Sequence, residues 1–176
     1  MSGARPSVLF VCLGNICRSP LAEAALRAEA RRIGLDVEVD SAGTGDWHVG
    51  APPDRRAQAV ARRHGIDISG YRARQVQPAD FWHFDDIVAL DADNLAALRR
   101  IAPAGAPARL SLLLDHVPGR TGEPVADPYY GQDDGFEATW ADVSAGARGL
   151  ARELAGRMTA ADGLRSDGKG PIAPGL

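Results

Sequence analysis

A thiol and a guanidinium lie six positions apart near the start of the chain, at Cys12 and Arg18. Arg18 can bind two oxygens of a tetrahedral oxyanion through paired N–H donors, which a lysine cannot do. Beside such a positive charge a thiol favours the thiolate form, which is the nucleophile. Taken alone, Cys12 would be a small buried residue at a strand end. With Arg18 at this spacing, the pattern indicates attack of Cys12 on the phosphorus of a bound phosphate group.

The flanking residues predict the structure that positions this pair. Residues 8–11 are apolar without interruption, which is typical of a strand buried on both faces of a parallel sheet. Ser19 has the character of a helix N-cap and Pro20 that of a first helical residue. A strand, a tight loop and a helix in this order direct the loop N–H groups and the positive end of the helix dipole at one point, where an anion binds.

Asp127 is the candidate general acid. It lies in a loop of about twenty residues, and a loop longer than about 12–15 residues inside a compact domain is usually functional. Because Asp127 precedes Pro128, its backbone is biased towards an extended conformation. An aspartate that only opens a turn is the alternative interpretation. A phosphate-ester leaving group needs a proton, however, and no other segment supplies an obvious acid.

The run from Cys12 to Pro20 resembles the signature of the low-molecular-weight protein tyrosine phosphatases, which carry a Cys-x5-Arg loop near the N-terminus. The resemblance continues, over about residues 7 to 155, through Ser41-Ala42-Gly43-Thr44, Asp46-Trp47, Asp91 to Leu95 and Asp127-Pro128-Tyr129-Tyr130. It implies two-step hydrolysis of phosphotyrosine in proteins through a phosphocysteine. Cys12 would be the nucleophile, Arg18 would bind the phosphate and Asp127 would act as general acid and then as base.

The resemblance also implies roles for the neighbouring residues. The phosphate would be bound by the loop backbone of Leu13, Gly14, Asn15, Ile16, Cys17 and Arg18, with Asn15 in a left-handed conformation. The substrate crevice would be lined by Leu13, Ile16, Trp47, Tyr129 and Tyr130, of which the two tyrosines are also kinase targets in the family. Ser19 would stabilise the leaving thiolate, and Asn15 and Ser41 would form a hydrogen-bond network behind the loop.

Two further residues near the loop carry separate expectations. Cys17 is a candidate resolving thiol, since a disulfide with Cys12 would protect an oxidised nucleophile from irreversible oxidation; a merely buried cysteine is the alternative. Family members often carry histidine in that network at the position of Tyr71, whose hydroxyl can still donate a hydrogen bond.

Hydrophobic patterns predict four strands that alternate with helices. The strands are expected over residues 8–11, 37–42, 84–90 and 109–114, and the helices over residues 20–33, 54–64, 91–101 and 136–158. This alternation predicts an α/β doubly wound four-stranded parallel sheet with helices on both faces and the phosphate-binding loop after strand 1. The strand order 2-1-3-4 is implied by the resemblance. We expect one domain over residues 1–160 and a disordered tail over residues 161–176.

Composition limits the class of partner. The chain has 176 residues and a formal net charge of −3, so it lacks the basic excess of a nucleic-acid-binding protein. No apolar run is long enough for a signal peptide or a membrane span, which predicts a cytoplasmic protein without a membrane partner. No cofactor or metal is expected, because Arg18 and the loop amides would supply the positive charge. We expect a phosphotyrosine-containing protein as partner, a tyrosine kinase being one candidate, and a monomer or weak dimer.

Several alternatives share the loop. Arsenate reductases coupled to thioredoxin need further cysteines late in the chain, and none follows Cys17. Protein-arginine phosphatases of the same family carry threonine at the position of Ile16. The branched apolar side chain of Ile16 should favour a substrate with a flat aromatic ring over one with a polar guanidinium. A non-catalytic phosphotyrosine-binding module would be expected to lack the nucleophile or the acid. A zinc site at Cys12 and Cys17 is the weakest alternative, because no matching pair of histidines or cysteines accompanies them.

Overall fold

The computed structural model describes residues 5–166 and confirms the predicted fold class. Within this range the chain forms one all-parallel sheet of four strands in the order β2-β1-β3-β4. The strands are β1 (Ser7–Cys12), β2 (Glu38–Gly43), β3 (Asp86–Ala89) and β4 (Arg109–Leu112). The helices are α1 (Arg18–Ile33), α2 (Arg55–Arg63), α3 (Asp80–His83), α4 (Ala92–Ile101) and α5 (Asp134–Ser166), and a 3₁₀ turn (Leu113–His116) follows β4.

Strand β1 is the centre of the hydrophobic core. Its side chains alternate between the two faces of the sheet, and all six residues are buried. Val8 and Phe10 pack in a cluster with α1, α2 and α5, whereas Leu9 and Val11 pack in a second cluster with α3 and α4. The uninterrupted apolar run follows from this position, because a strand covered by helices on both faces has no polar side.

The carboxyl ends of the parallel strands meet at one edge of the sheet. Cys12 ends β1 and pairs with Gly43 at the end of β2. The backbone N–H of Thr44 donates to the Cys12 carbonyl oxygen at 2.9 Å. A Cβ at Gly43 would lie only 2.8 Å from the Leu13 carbonyl oxygen, so the close approach of these two segments requires glycine. This edge therefore holds the loop after β1 against the end of β2.

The predicted start of the first helix is wrong by two residues. Helix α1 begins at Arg18, with Cys17 in the N-cap position, and Ser19 lies inside the helix. Ser19 does not cap the helix because its hydroxyl contacts the Cys12 sulfur and accepts a hydrogen bond from the Asn15 side chain. The Ser19 hydroxyl is therefore not available to cap α1.

Other boundaries also differ from the prediction. The segment before β3 forms the short helix α3, so β3 begins at Asp86. The fourth strand ends at Leu112, because the Asp115 carboxylate accepts a hydrogen bond from the Leu112 N–H at 3.0 Å and closes the 3₁₀ turn. Helix α5 continues to Ser166, so residues 161–166 of the predicted tail are helical. The rest of that prediction, residues 167–176, lies outside the described residues.

Residues 5–166 lack two kinds of feature. In that range no helix is both long and apolar enough to cross a lipid bilayer. The same residues contain no group of three or more histidine, cysteine, aspartate or glutamate side chains placed to hold a metal ion.

Candidate active site

The loop between β1 and α1 curls around the sulfur of Cys12. The Asn15 backbone N–H points at Sγ at 3.3 Å, and Asn15 has the left-handed φ of 57° that was predicted for it. Asparagine adopts this conformation more easily than most residues, so it closes the loop with little strain. On the outer side, the Ile16 carbonyl oxygen accepts a hydrogen bond from the Asp54 N–H at 2.8 Å, which ties the loop to the start of α2.

The Asn15 side chain orders the hydroxyl groups behind the nucleophile. Its carbonyl oxygen accepts from the Arg74 N–H at 3.0 Å, which orients the amide so that Nδ2 donates to Ser19 Oγ at 2.8 Å and to Ser41 Oγ at 3.0 Å. Ser19 Oγ lies 3.0 Å from Cys12 Sγ. Since Ser19 accepts from the amide, its own O–H can donate, and the nearer of its two acceptors is the Cys12 sulfur, the other being the Ala42 carbonyl oxygen at 3.5 Å. The network therefore presents a hydrogen-bond donor to a thiolate.

The network ends on Glu23, a residue that the sequence analysis did not single out. Ser41 Oγ donates to Glu23 Oε1 at 2.8 Å, and Arg27 forms an ion pair with the same carboxylate at 2.9 Å. Burial raises the pKa of Glu23 above its usual range. Tyr71 lies beside Arg27 and Glu23, and burial, followed by the Glu23 charge, raises the pKa of Tyr71. The buried carboxylate of Glu23 thus contacts Ser41 directly.

Arg18 is held at the base of the site, and its guanidinium is almost completely buried. Its Nη1 donates to Asp91 Oδ2 at 2.7 Å and to the Val125 carbonyl oxygen at 3.0 Å. Its Nη2 lies 3.6 Å from Asp127 Oδ2. Asp91, the first residue of the helix predicted over residues 91–101, is the N-cap of α4, and its Oδ1 accepts from the Asn94 N–H at 2.8 Å. The same carboxylate therefore caps α4 and orients Arg18.

Asp127 faces the cavity above Cys12. Its Oδ1 accepts a hydrogen bond from the Tyr129 N–H at 3.1 Å, while Oδ2 points towards Arg18. The Asp127 side chain is 43% exposed, so it is open to the solvent-filled side of the site. The loop that was predicted to deliver this carboxyl group thus brings it to the same place as the nucleophile and the guanidinium.

A cavity of about 330 Å³ opens over Cys12. It is lined by all five side chains predicted for the substrate crevice, Leu13, Ile16, Trp47, Tyr129 and Tyr130, together with Gly14, Cys17, Arg18, Asp127 and the unpredicted His48. The Tyr129 and Tyr130 rings meet edge to face, with centroids 4.8 Å apart. Apolar and aromatic walls over a polar base suit a flat ring that carries a phosphate.

Cys17 lies under the same cavity, and both cysteines are buried and free. Burial, and then the Asp54 carboxylate, raise the pKa of Cys17 far above its usual range. Cys17 is therefore a neutral thiol at physiological pH, and its protective role stays a prediction.

Comparison with known proteins finds similarity along most of the chain. A family model described as low molecular weight phosphotyrosine protein phosphatase matches residues 7–160. A Streptomyces coelicolor low molecular weight protein-tyrosine-phosphatase is 49% identical over 148 residues, which are 81% of this chain and 90% of the relative. The crystal structure of YfkJ from Bacillus subtilis matches with a TM-score of 0.82 and 42% identity, covering 89% of this chain and 99% of that chain.

A second solved structure is relevant to the choice between phosphotyrosine and phosphoarginine as substrate. The crystal structure of DARP, a Drosophila arginine phosphatase, matches with a TM-score of 0.78 and 33% identity, covering 83% of this chain and 96% of that chain. The residues matched by the family model include the whole site described above.

Proposed function

This chain belongs to the low molecular weight phosphotyrosine protein phosphatase family, and we propose that it hydrolyses phosphotyrosine through a phosphocysteine on Cys12. The observation that carries the proposal is the arrangement of three groups around one cavity. Cys12 Sγ lies at its base, Arg18 Nη2 lies 3.6 Å from Asp127 Oδ2, and the aromatic walls leave room for a phenol ring.

In the first step Cys12 attacks phosphorus as the P–O bond to the phenol breaks. Arg18 and the loop N–H groups bind the phosphate oxygens, whose charge is spread in the transition state. Asp127 donates its proton to the departing phenolate oxygen. The products are the free tyrosine side chain and a phosphocysteine, and Asp127 is left as a carboxylate.

In the second step a water molecule attacks the phosphocysteine. Asp127 accepts the proton of this water, the P–S bond breaks, and inorganic phosphate forms. Ser19 lies 3.0 Å from Sγ and donates a hydrogen bond to the leaving thiolate. The enzyme returns to its starting state with a protonated Asp127 and a Cys12 thiolate.

The walls of the cavity support phosphotyrosine over phosphoarginine. Ile16 offers a branched apolar surface, which suits a flat phenol ring better than a polar guanidinium, and Trp47 offers a ring on which a phenol can stack. The arginine phosphatase among the structural neighbours makes phosphoarginine the second candidate substrate. The two cysteines of the chain both lie in one loop, so an arsenate reductase would lack the further cysteines of its disulfide relay.

The test compares hydrolysis by the wild type, Cys12→Ser and Asp127→Asn, with EDTA present. The substrates are an aryl phosphate and peptides that carry phosphotyrosine, phosphoserine or phosphoarginine. We expect turnover of the aryl phosphate and phosphotyrosine that Cys12→Ser abolishes and Asp127→Asn slows by roughly 10²–10⁴. A preference for phosphoarginine would contradict the substrate assignment, and phosphopeptide binding without turnover would indicate a binding module.

The partner proposed for this site is a phosphotyrosine-containing protein, with a tyrosine kinase as one candidate, and we propose a cytoplasmic monomer or weak dimer. Tyr130 is 94% exposed, so a kinase could reach its hydroxyl. Mass spectrometry after incubation with the cognate kinase tests this, and absence of phosphate on both Tyr129 and Tyr130 would exclude it.

A further inference from the structure

Arg56, in the first turn of α2, contacts the loop that carries Asp127. Its Nη2 donates to the Tyr129 carbonyl oxygen at 2.9 Å, and its Nη1 lies 3.4 Å from the Gly131 carbonyl oxygen. The guanidinium carbon also lies 5.8 Å from the centre of the Tyr129 ring and 4.7 Å from that of Phe136. One side chain thus holds two carbonyl groups and an aromatic ring of this loop.

Both backbone polar groups of Tyr129 form hydrogen bonds. The Tyr129 N–H donates to Asp127 Oδ1 at 3.1 Å, while its carbonyl oxygen accepts from Arg56. With Oδ1 occupied by this bond, Oδ2 is the oxygen that faces Arg18. One peptide group of Tyr129 thus contacts the Asp127 carboxyl group and the next one contacts Arg56.

Arg56 is itself fixed to the phosphate-binding loop. Its Nε and Nη2 each lie 3.1 Å from an oxygen of the Asp54 carboxylate, in a two-point ion pair. The Asp54 N–H in turn donates to the Ile16 carbonyl oxygen at 2.8 Å. A continuous set of contacts therefore runs from the loop around Cys12 through Asp54, Arg56 and Tyr129 to Asp127.

We propose that Arg56 is a positioning residue that sets the place of the general acid Asp127 relative to the phosphate-binding loop. The proposal rests on the function proposed above for Asp127. A guanidinium suits the task because its planar set of N–H groups reaches a carboxylate and backbone carbonyls together, whereas a lysine ammonium is a single point. A catalytic group displaced by about 1 Å can lose about 10² in rate, so loss of Arg56 would impair proton donation.

The test uses the dependence of the rate on the leaving group. Phenyl phosphate releases a poor leaving group that needs a proton, whereas p-nitrophenyl phosphate releases an electron-poor phenolate that needs the proton far less. We expect Arg56→Ala to lower kcat/KM for phenyl phosphate roughly tenfold more than for p-nitrophenyl phosphate. Because both substrates are measured on the same preparation, the ratio does not change with the fraction of folded enzyme.

Three variants complete the design. Arg55→Ala is the matched control, since the neighbouring Arg55 is exposed and its side chain forms no hydrogen bond or ion pair with any residue from 5 to 166, and we expect it to keep the wild-type ratio. Arg56→Lys keeps the charge but not the paired contacts, and we expect it to shift the ratio as alanine does. In Asp127→Asn, adding Arg56→Ala should cause no further loss on phenyl phosphate.

The outcomes separate this proposal from the one on which it rests. Equal losses on both substrates in Arg56→Ala, or a full additional loss in the double variant, would overturn the positioning role and leave Asp127 as the acid. If Asp127→Asn itself lowered kcat/KM equally on both substrates, the acid role of Asp127 would fall, and the role of Arg56 with it.

Discussion

Replacing Asp91 tests how Arg18 is oriented. The two oxygens of this carboxylate have different tasks, since Oδ1 accepts from the Asn94 N–H at 2.8 Å and Oδ2 accepts from Arg18 Nη1 at 2.7 Å. Asp91→Asn keeps an oxygen for the helix cap but removes the negative charge beside the buried guanidinium. Asp91→Ala removes both the cap and the charge. The pair of variants therefore separates the two contributions.

The structure sets the size of each effect. Loss of an N-cap costs about 1 kcal/mol of unfolding free energy. A hydrogen bond to a charged group contributes about 1.5–3 kcal/mol, and the lower part of that range applies because the Asp91 side chain is 23% exposed. We expect Asp91→Asn to lose about 2 kcal/mol and Asp91→Ala about 3 kcal/mol. Because Arg18 loses the carboxylate that orients its guanidinium, kcat/KM should fall about tenfold.

Urea unfolding and aryl phosphate kinetics measure these quantities, and inorganic phosphate adds a third readout. Phosphate stabilises the wild type according to its concentration relative to Kd, and Asp91→Asn should need more phosphate for the same stabilisation. Asp93→Asn is the control, because Asp93 carries the same charge in the same helical turn and is exposed. Wild-type phosphate affinity and kcat/KM in Asp91→Asn would refute the reasoning.

Two further predictions follow from Glu23 and Cys17. Burial raises the pKa of Glu23, so its stabilising contribution is present below the unfolded pKa of about 4.3 and is lost as pH rises through the folded value. The difference in unfolding free energy between wild type and Glu23→Gln should therefore fall as pH rises. The corresponding difference for Glu137→Gln should rise with pH, because His64 and Arg63 lower the pKa of Glu137. Hydrogen peroxide should oxidise the Cys12 thiolate to a sulfenic acid, which the Cys17 thiol attacks with loss of water. In Cys17→Ser, excess peroxide should oxidise the unprotected sulfenic acid further to a sulfinic acid, which dithiothreitol does not reduce. Dithiothreitol should therefore restore activity to wild type but not to Cys17→Ser, and equal recovery would exclude protection.

The phosphate-binding loop could be predicted from the sequence because its parts are adjacent in the chain. The apolar strand, Cys12, Asn15 and Arg18 fall within twelve residues, and the loop geometry follows from their order. Ser19 shows the limit of this reasoning. Its type predicts a helix cap, yet in the folded chain its hydroxyl contacts Cys12 and Asn15. Local propensity does not reveal that a tertiary contact uses the same group.

Residues from distant segments could not be assigned in this way. Asp91 follows β3, and parallel strands bring their carboxyl ends together, so its approach to Arg18 was open to prediction from the strand order. The Val125 carbonyl oxygen that also binds Arg18 gives no side-chain signal. Arg56 belongs to a run of arginines on α2 that the sequence cannot distinguish from a solvated helix face.

The sequence by itself determined the loop chemistry and the parallel α/β class, because both depend on residue type and on short-range order, whereas the strand order was implied by the family resemblance. A thiol, a guanidinium and a carboxyl group on loops of an α/β chain specify a reaction, and alternating apolar segments specify parallel strands. Only the tertiary structure decided which groups orient these three. These groups lie on separate segments of the chain: Glu23 contacts Ser41, Asp91 contacts Arg18, and Arg56 contacts the loop of Asp127. Their hydrogen bonds require the atoms to be placed to within a few tenths of an ångström, which no local pattern encodes.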